Sequence, residues 1–286
     1  MEFKKLKRWT VKDWIAGGLI HLWLAVVVLI VIIPVMWVVS SAFSSSTSID
    51  VMGILPYKPT LDNFKELFNE TNYLSWYKNT LIVAVLTTIF TSILNMFTAF
   101  IFARFPFKGR KGLLMGIMLF QMFPSFLGLT AIYVICMNFG LLDNIYTLVL
   151  IYTAGSIPGN IFLARGYLLN VPRSLDEAAY IDGANKFQVF LNVVLPLSVP
   201  ILSFLALTAF LMPWMDYIMP RMLLSHNTKL TLAIELYNWA NAGTMLYNFP
   251  LFSAGSVLIA LPIATLQIIF QRFLVTGITA GANKGE

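Results

Sequence analysis

Reactive side chains are scarce in this chain of 286 residues, and none is spaced as in a conventional catalytic centre. The two histidines, His21 and His226, have no neighbour at metal-ligand spacing, and Cys136 is the single cysteine. The sequence contains no phosphate-binding G-x-x-x-x-G-K-[ST] motif, no H-E-x-x-H motif and no nucleophile elbow. We therefore expect no catalytic residues, no metal site and no resident cofactor in this chain.

The most informative polar pattern lies in the second half of the chain. Ser174 and Glu177 have the spacing of a capping box, which predicts that a helix begins at Ser174. Gly183 permits a left-handed or closely packed backbone and predicts the end of that helix. A second short helix is expected over about 185–194, ended by Pro196. The first helix would carry a mildly apolar surface of small residues, which suits a groove on another protein.

The elements that must position this segment are strongly apolar. Hydrophobic residues make up 58% of the chain, charged residues make up 11%, and the mean hydropathy is +0.79. Soluble domains carry about 25% charged residues. The net charge of +6 comes from short basic stretches between apolar runs, which is typical of membrane proteins. We expect an integral membrane protein whose partners include the lipid bilayer and exclude nucleic acid.

Six segments are apolar enough and long enough to cross the bilayer, which takes about 20 helical residues. Helix is required because lipid cannot satisfy open backbone groups. The first segment is longer than the apolar region of a signal peptide, so we interpret it as an uncleaved span. The segments are residues 19–43, 79–103, 113–137, 144–166, 197–218 and 251–274.

Lysine and arginine indicate the orientation of these spans. Most of them precede the first span, follow the last one, or lie in the loops at 104–112 and 165–195. Cytoplasmic loops of membrane proteins are enriched in these residues. The pattern therefore predicts six spans with both termini in the cytoplasm.

The segment between the fourth and fifth spans resembles the EAA loop of permease subunits in binding-protein-dependent ABC importers. The ending from Gly277 to Gly281 resembles the tail of MalG-type maltose permeases, and the resemblance covers nearly the whole chain. It implies an all-α integral membrane protein with the type I ABC importer permease fold, built as a single domain over 1–286. The motifs that carry it are Glu177-Ala178-Ala179, Asp182-Gly183-Ala184 and Leu195-Pro196.

In that family the loop forms a coupling helix that sits in a cleft of the ATPase subunit. The resemblance implies a cytoplasmic coupling loop at 167–196, with two partner subunits that bind ATP and Mg. It also implies a second, homologous permease, an extracytoplasmic sugar-binding protein and a place in the inner membrane. The chain would form half of the pathway for maltose, maltodextrin or a related oligosaccharide. The docking residues would be Ser174, Glu177, Ala178, Ala179, Asp182, Gly183, Ala184, Leu195 and Pro196.

Four residues within the spans are candidates for the substrate pathway: Asn95, Gln121, Trp214 and Asp216. Polar side chains there can bind sugar hydroxyls, and aromatic rings can stack on sugar rings. The alternative role is hydrogen bonding between helices. Asp216 and Trp214 lie near the outer end of the fifth span, so a gate or a docking role is also open.

Two other classes of membrane protein compete with this interpretation. A secondary transporter or channel would work without an ATPase and would need a charged residue at mid-membrane, for which the sequence offers no clear candidate. An intramembrane enzyme would need a buried nucleophile and base or a metal pair. The two histidines fall near span ends, which disfavours that class.

Overall fold

The computed structural model describes residues 11–46, 53–241 and 248–282, without the side chains of 11–13, 125 and 272–282. Helices dominate these ranges, and a single antiparallel bridge in them joins Ser44 to Pro59. The basic residues before 11, which entered the orientation prediction, lie outside the described residues, as do residues 283–286 of the tail.

Four long helices correspond to four of the predicted spans. Each is apolar and long enough to cross a membrane, because no run of polar residues or extended backbone interrupts it. Each also extends beyond the predicted range at one or both ends. They are α1 (Val11–Ala42), α3 (Tyr73–Arg104), α6 (Ile145–Asn170) and α13 (Phe249–Ala282).

The predicted span at 113–137 is not one continuous helix. It consists of α4 (Arg110–Gln121), a 3-10 turn (Ser125–Gly128) and α5 (Leu129–Asn138). The two parts are bent by 88°. Pro124 lies at the break with an extended backbone, because it has no N–H for the helix and its ring clashes with the preceding turn.

The predicted span at 197–218 is α10 (Val199–Met215), which is shorter than expected and joins the preceding helical segment at an angle of 82°. The break falls at Ser198, and the prediction that Pro196 ends the preceding helix is wrong. Pro196 lies in the first turn of a short helix, Leu195–Leu197, where a missing N–H costs no internal bond. Four helices are thus long enough to span a membrane, or six if each bent pair counts as one.

One end of the bundle is built from the segments that connect the first predicted span to the second and the fifth to the sixth. They form α2 (Asp62–Asn69), α11 (Ile218–Leu223) and α12 (Leu232–Asn241). Asn63 donates two hydrogen bonds, of 2.9 and 2.8 Å, to the carbonyls of Ala42 and Ser44 at the end of α1. The buried Tyr73 hydroxyl donates to the Gly255 carbonyl at 2.7 Å, which joins α3 to α13.

Asp143 fastens the α5–α6 connection to the segment that follows α11. Its carboxylate accepts hydrogen bonds from the backbone N–H groups of Ser225 and His226 and from Lys229 Nζ, and it also contacts the His226 ring. Burial alone would raise the pKa of Asp143. The bonds from Lys229, Ser225 and His226 outweigh it and hold this pKa well below its usual range.

The opposite end of the bundle carries α7 (Arg173–Ile181), α8 (Lys186–Val189), a π-helical turn (Phe190–Val194) and α9 (Leu195–Leu197). A hydrophobic cluster lies beneath them, where Val189 and Val194 are fully buried with residues of α3, α6 and α10. Since α3 packs along both α6 and α10, it is the central helix of the bundle. The short helices therefore lie on the end of this central packing unit.

Candidate docking site

The first helix of the site, α7, begins at Arg173, and the predicted capping box at Ser174 and Glu177 is wrong. Pro172 occupies the N-cap position, no side chain caps the helix, and both predicted partners are exposed. Pro172 fixes its own φ at −58° and starts the helix one residue early, so Ser174 falls inside the first turn.

A capping box does form at the start of α8. The side chain of Asn185 accepts the backbone N–H of Gln188 at 3.0 Å, and the side chain of Gln188 accepts that of Asn185 at 2.8 Å. The two boxes share the same spacing in the sequence. Asn185 itself has the extended backbone of an N-cap residue, whereas Ser174 already lies inside its helix.

The helix end at Gly183 confirms the prediction and has a defined geometry. Gly183 has φ +85°, its N–H bonds the Tyr180 carbonyl, and the Ala184 N–H bonds the Ala179 carbonyl at 2.9 Å. These two bonds constitute a Schellman motif. Ala179 and Ala184 supply its apolar contact, and both pack against the hydrophobic cluster beneath the short helices. Glycine is needed here for the left-handed backbone and not for lack of space, since an added Cβ would have no heavy atom within 4 Å.

The outward surface of α7 is apolar at its end. Ile181 is 87% exposed, and Leu175 and Tyr180 are also exposed. Glu177, Ala178 and Asp182 lie on the exposed side as well, whereas Ala179 and Ala184 are half-buried. A rigidly ended helix thus presents large apolar side chains away from the bundle, as a helix does when it enters a groove on a partner.

Arg104 and Arg173 join this site to the end of α3, and Arg165 joins α6 to α3. Arg104 Nε lies 2.7 Å from Asp176 Oδ2, and these side chains are only 5% and 8% exposed. Arg104 also donates to the Val171 carbonyl at 3.1 Å, and Arg173 donates to the Ala103 carbonyl at 3.3 Å. Arg165 donates to the Phe102 carbonyl at 3.1 Å. Burial raises the pKa of the Asp176 carboxyl, although the positive charges of Arg104 and Arg173 oppose it.

Sequence reasoning missed this ion pair. The signal was an arginine at the end of one apolar run and an aspartate in the first turn of a predicted helix at the same end.

The second half of the site lies where the chain turns into α10. Leu195 is half-buried and Pro196 is exposed. Ser198 is buried, and its hydroxyl donates to the Val194 carbonyl at 2.7 Å. Leu195 also lines an apolar groove of about 650 Å³ between α3, α10 and α13, and none of the four candidate pathway residues lines this groove.

Asn95 and Gln121 both contact α6. The amide of Asn95, which is fully buried, donates to the Thr91 carbonyl and to the Ser156 hydroxyl, each at 2.9 Å. Gln121 at the end of α4 donates to the Pro158 carbonyl. Both therefore make the hydrogen bonds between helices that the sequence left open as an alternative.

Asp216 and Trp214 lie at the end of α10 that leads into α11. The Asp216 carboxylate accepts from the Tyr152 hydroxyl at 2.8 Å and from the backbone N–H groups of Ile218 and Met219 at the start of α11. Trp214 is buried, with its ring 5.5 Å from that of Tyr77. Among the described residues, no hydrogen bond joins any two of the four candidates, and three of them bond α6, at Tyr152, Ser156 and Pro158.

An all-helical bundle of apolar spans, with an exposed pair of short helices on one end, is the architecture of a membrane transport permease. The sequence pattern of the binding-protein-dependent transport system inner membrane component family matches residues 95–279. This chain belongs to that family. It is an inner-membrane transport component rather than an enzyme.

Proteins with similar sequences align over nearly the full length. The maltodextrin transport system permease protein MdxG of Bacillus subtilis is 39% identical over 93% of this chain and 95% of its own length. The galactooligosaccharides transport system permease protein GanQ of the same organism is 35% identical over 93% and 94%. The maltodextrin transport system permease protein MalD of Streptococcus pneumoniae is 36% identical over 96% and 98%.

Solved structures share the fold. A chain in the crystal structure of a bacterial ABC transporter involved in the import of the acidic polysaccharide alginate has a TM-score of 0.79 and 22% identity. The match covers 95% of this chain and 99% of that one. A chain of the MetNI methionine ABC transporter in an inward-facing conformation has a TM-score of 0.55 over 70% of this chain and 93% of that one.

Proposed function

We propose that this chain is one of two permease subunits of an ATP-driven importer for maltodextrin or a related oligosaccharide. Two of the relatives at 35–39% identity are maltodextrin permeases, and the third is a galactooligosaccharide permease. Alignment over more than nine-tenths of each relative supports a shared activity of the whole chain.

The proposed topology has six spans, with each bent pair crossing the membrane once and both termini in the cytoplasm. The grouping of the loops at the two ends of the bundle supports it. Arg104 and Asp176 pair at one end, while Asp143 and Lys229 pair at the other. The first end carries the loops rich in arginine and lysine, which the positive-inside rule assigns to the cytoplasm.

The coupling loop at 167–196 docks onto an ATPase in this proposal. The observation that carries it is the exposed end of α7, where Ile181 projects from a helix held by the Schellman motif at Gly183. Two ATP-binding subunits would bind ATP and Mg, close on each other and move the short helices. That motion would open the cavity outward, and ATP hydrolysis would reverse it. A nucleotide shifts this equilibrium only through different affinities for the two states.

The substrate pathway would lie between this chain and a second, homologous permease. The bonds made within the chain by Asn95 Nδ2, Gln121 Nε2 and the Asp216 carboxylate support this arrangement, because these groups already have partners in the chain. An extracytoplasmic sugar-binding protein would deliver the oligosaccharide to the outer end of the bundle.

Crosslinking in the purified complex tests the docking proposal. Ile181→Cys places a thiol on the exposed end of α7, and the native Cys136 is buried and serves as a quiet background. Leu55→Cys is the matched control, because Leu55 is 79% exposed at the opposite end. After purification in mild detergent, the Ile181→Cys protein is expected to crosslink to a co-purifying ATPase and the Leu55→Cys protein is not. An ATPase crosslinked only from position 55, or none co-purifying with the unaltered protein, would refute the proposal.

Uptake into proteoliposomes tests the cargo. The assembled complex with its sugar-binding protein should import labelled maltodextrin in an ATP-dependent manner, and a labelled amino acid serves as the control solute. Equal uptake with and without ATP would support a secondary transporter instead.

A further inference from the structure

The buried contact between α3 and α7 is made by side chains. The backbones of these two helices make little direct contact, yet Arg104 and Asp176 form an ion pair across the gap. Two further bonds cross in opposite directions, from Arg104 to the Val171 carbonyl and from Arg173 to the Ala103 carbonyl. The end of α3 is therefore tied to the first turn of α7 at two points and to the connection before α7 at a third.

This contact holds two charges in the interior of the loop. Removing one partner of a buried pair strands the other charge, whereas the intact pair gives little net stability over apolar side chains of similar size. Within the described residues, the buried atoms Arg104 Nη1 and Asp176 Oδ1 have no hydrogen-bond partner. The arrangement thus fixes a geometry at the expense of incomplete hydrogen bonding, which favours a positioning role over a stabilising one.

Two other connections lead from α7 to the membrane spans, one to α6 and one to α10. Towards α6, the chain passes through Val171 and Pro172, whose backbones are extended. Towards α10, it passes through α8, a π-helical turn and the 82° bend at Ser198. Neither route is a continuous helix, so a push on α7 reaches the spans most directly through the pair with α3.

We propose that Arg104 and Asp176 are positioning residues that transmit movement of α7 into α3 and thereby couple ATP hydrolysis to transport. This proposal rests on the proposed importer function. Because α3 packs along both α6 and α10, its displacement moves two further spans with it. Without the pair, α7 would still dock, and its movement would be partly lost in the extended connection and the bend.

The test uses the whole complex in proteoliposomes and measures sugar imported per ATP hydrolysed. Asp176→Asn and Arg104→Gln are each expected to lower this ratio at least fivefold while the ATPase still co-purifies. The charge-swapped double variant, Arg104→Asp with Asp176→Arg, should recover part of the ratio. Lys108→Gln is the matched control, since it removes one positive charge from an exposed side chain in the loop after α3 and should leave the ratio unchanged.

The outcomes separate the two proposals. An unaltered protein that brings down no ATPase refutes the importer function itself. An unaltered complex that works, with Asp176→Asn at the normal ratio, refutes the transmitting pair. Loss of the ATPase from Asp176→Asn also refutes it, because the pair would then support docking. If the single variants fail to accumulate, the conservative Asp176→Glu and the swapped pair decide: both retain an ion pair and should keep a measurable ratio, and loss of the ratio in both counts against the role.

Discussion

Substitutions at Gly183 separate backbone strain in this chain from collision with a partner. Gly183 has φ +85°, and a left-handed backbone costs a residue with a Cβ about 1–2 kcal/mol. That energy corresponds to a factor of roughly 5–30 in a local equilibrium. Alanine and glutamate carry the same strain, and neither meets an atom of this chain within 4 Å of the Cβ. A difference between these two variants is therefore expected to come from the longer glutamate side chain meeting a partner.

The assay measures how much ATPase co-elutes with the purified permease. Gly183→Asn should bind nearly as well as the unaltered protein, because asparagine tolerates the left-handed region. Gly183→Ala should bind about 5–30 times more weakly if the whole strain opposes docking. Gly183→Glu should bind at least about tenfold more weakly again, or 1.4 kcal/mol, because a longer charged side chain would enter the docking groove.

Membrane insertion and yield of the three Gly183 variants should match those of the unaltered protein, since the strain is local to the end of α7. Equal ATPase binding by Gly183→Ala and Gly183→Glu would refute the placement of this helix end in a partner. Equal binding by all variants would also refute the strain argument.

Three predictions concern the end of the bundle opposite to the docking site. Asp143→Asn should lower the melting temperature at pH 7. The pKa of Asp143 is depressed on folding. Its contribution to the free energy of unfolding is therefore full above the unfolded pKa of about 4 and is lost as the pH falls below it. A difference in melting temperature between the variant and the unaltered protein that does not narrow towards pH 3 would contradict this. Tyr73→Phe removes the buried bond to the Gly255 carbonyl and should cost about 1–3 kcal/mol in denaturant unfolding, and an unchanged midpoint would contradict it. Asn63→Leu removes two hydrogen bonds to carbonyls at the end of α1, including that of Ala42. This end of α1 should then become more susceptible to protease. An unchanged cleavage rate would show that Asn63 does not hold the end of α1.

The long spans were predictable because membrane helices are encoded locally. A continuous apolar run of the required length has one outcome in lipid, so α1, α3, α6 and α13 agree with the expected ranges to within a few residues at most ends. Proline was less predictable. Pro158 lies inside a continuous helix, whereas Pro124 lies at a break of 88°, and the residue type alone does not distinguish the two outcomes.

The candidate docking site was predictable where its geometry is local. Gly183 ends α7 in the left-handed conformation, as glycine's freedom in φ indicated. Ser174 and Glu177 failed as a cap because the preceding Pro172 starts the helix earlier. Arg104 and Asp176 meet through the packing of α3 against the loop, which no local spacing encodes.

The polar residues in the spans show why side-chain type alone does not identify a substrate pathway. An amide or carboxylate in an apolar helix must find a partner, because an unsatisfied polar group in lipid is costly. The amide nitrogen of Asn95 bonds Ser156, and Asp216 bonds Tyr152 and the first turn of α11, so the packing of this chain accounts for these contacts. A pathway shared with a second permease would instead be lined by surfaces that are still exposed in the single chain. Both Asn95 and Asp216 would then affect transport through the position of α6, and replacing either should alter the assembly of the bundle before it alters the choice of sugar.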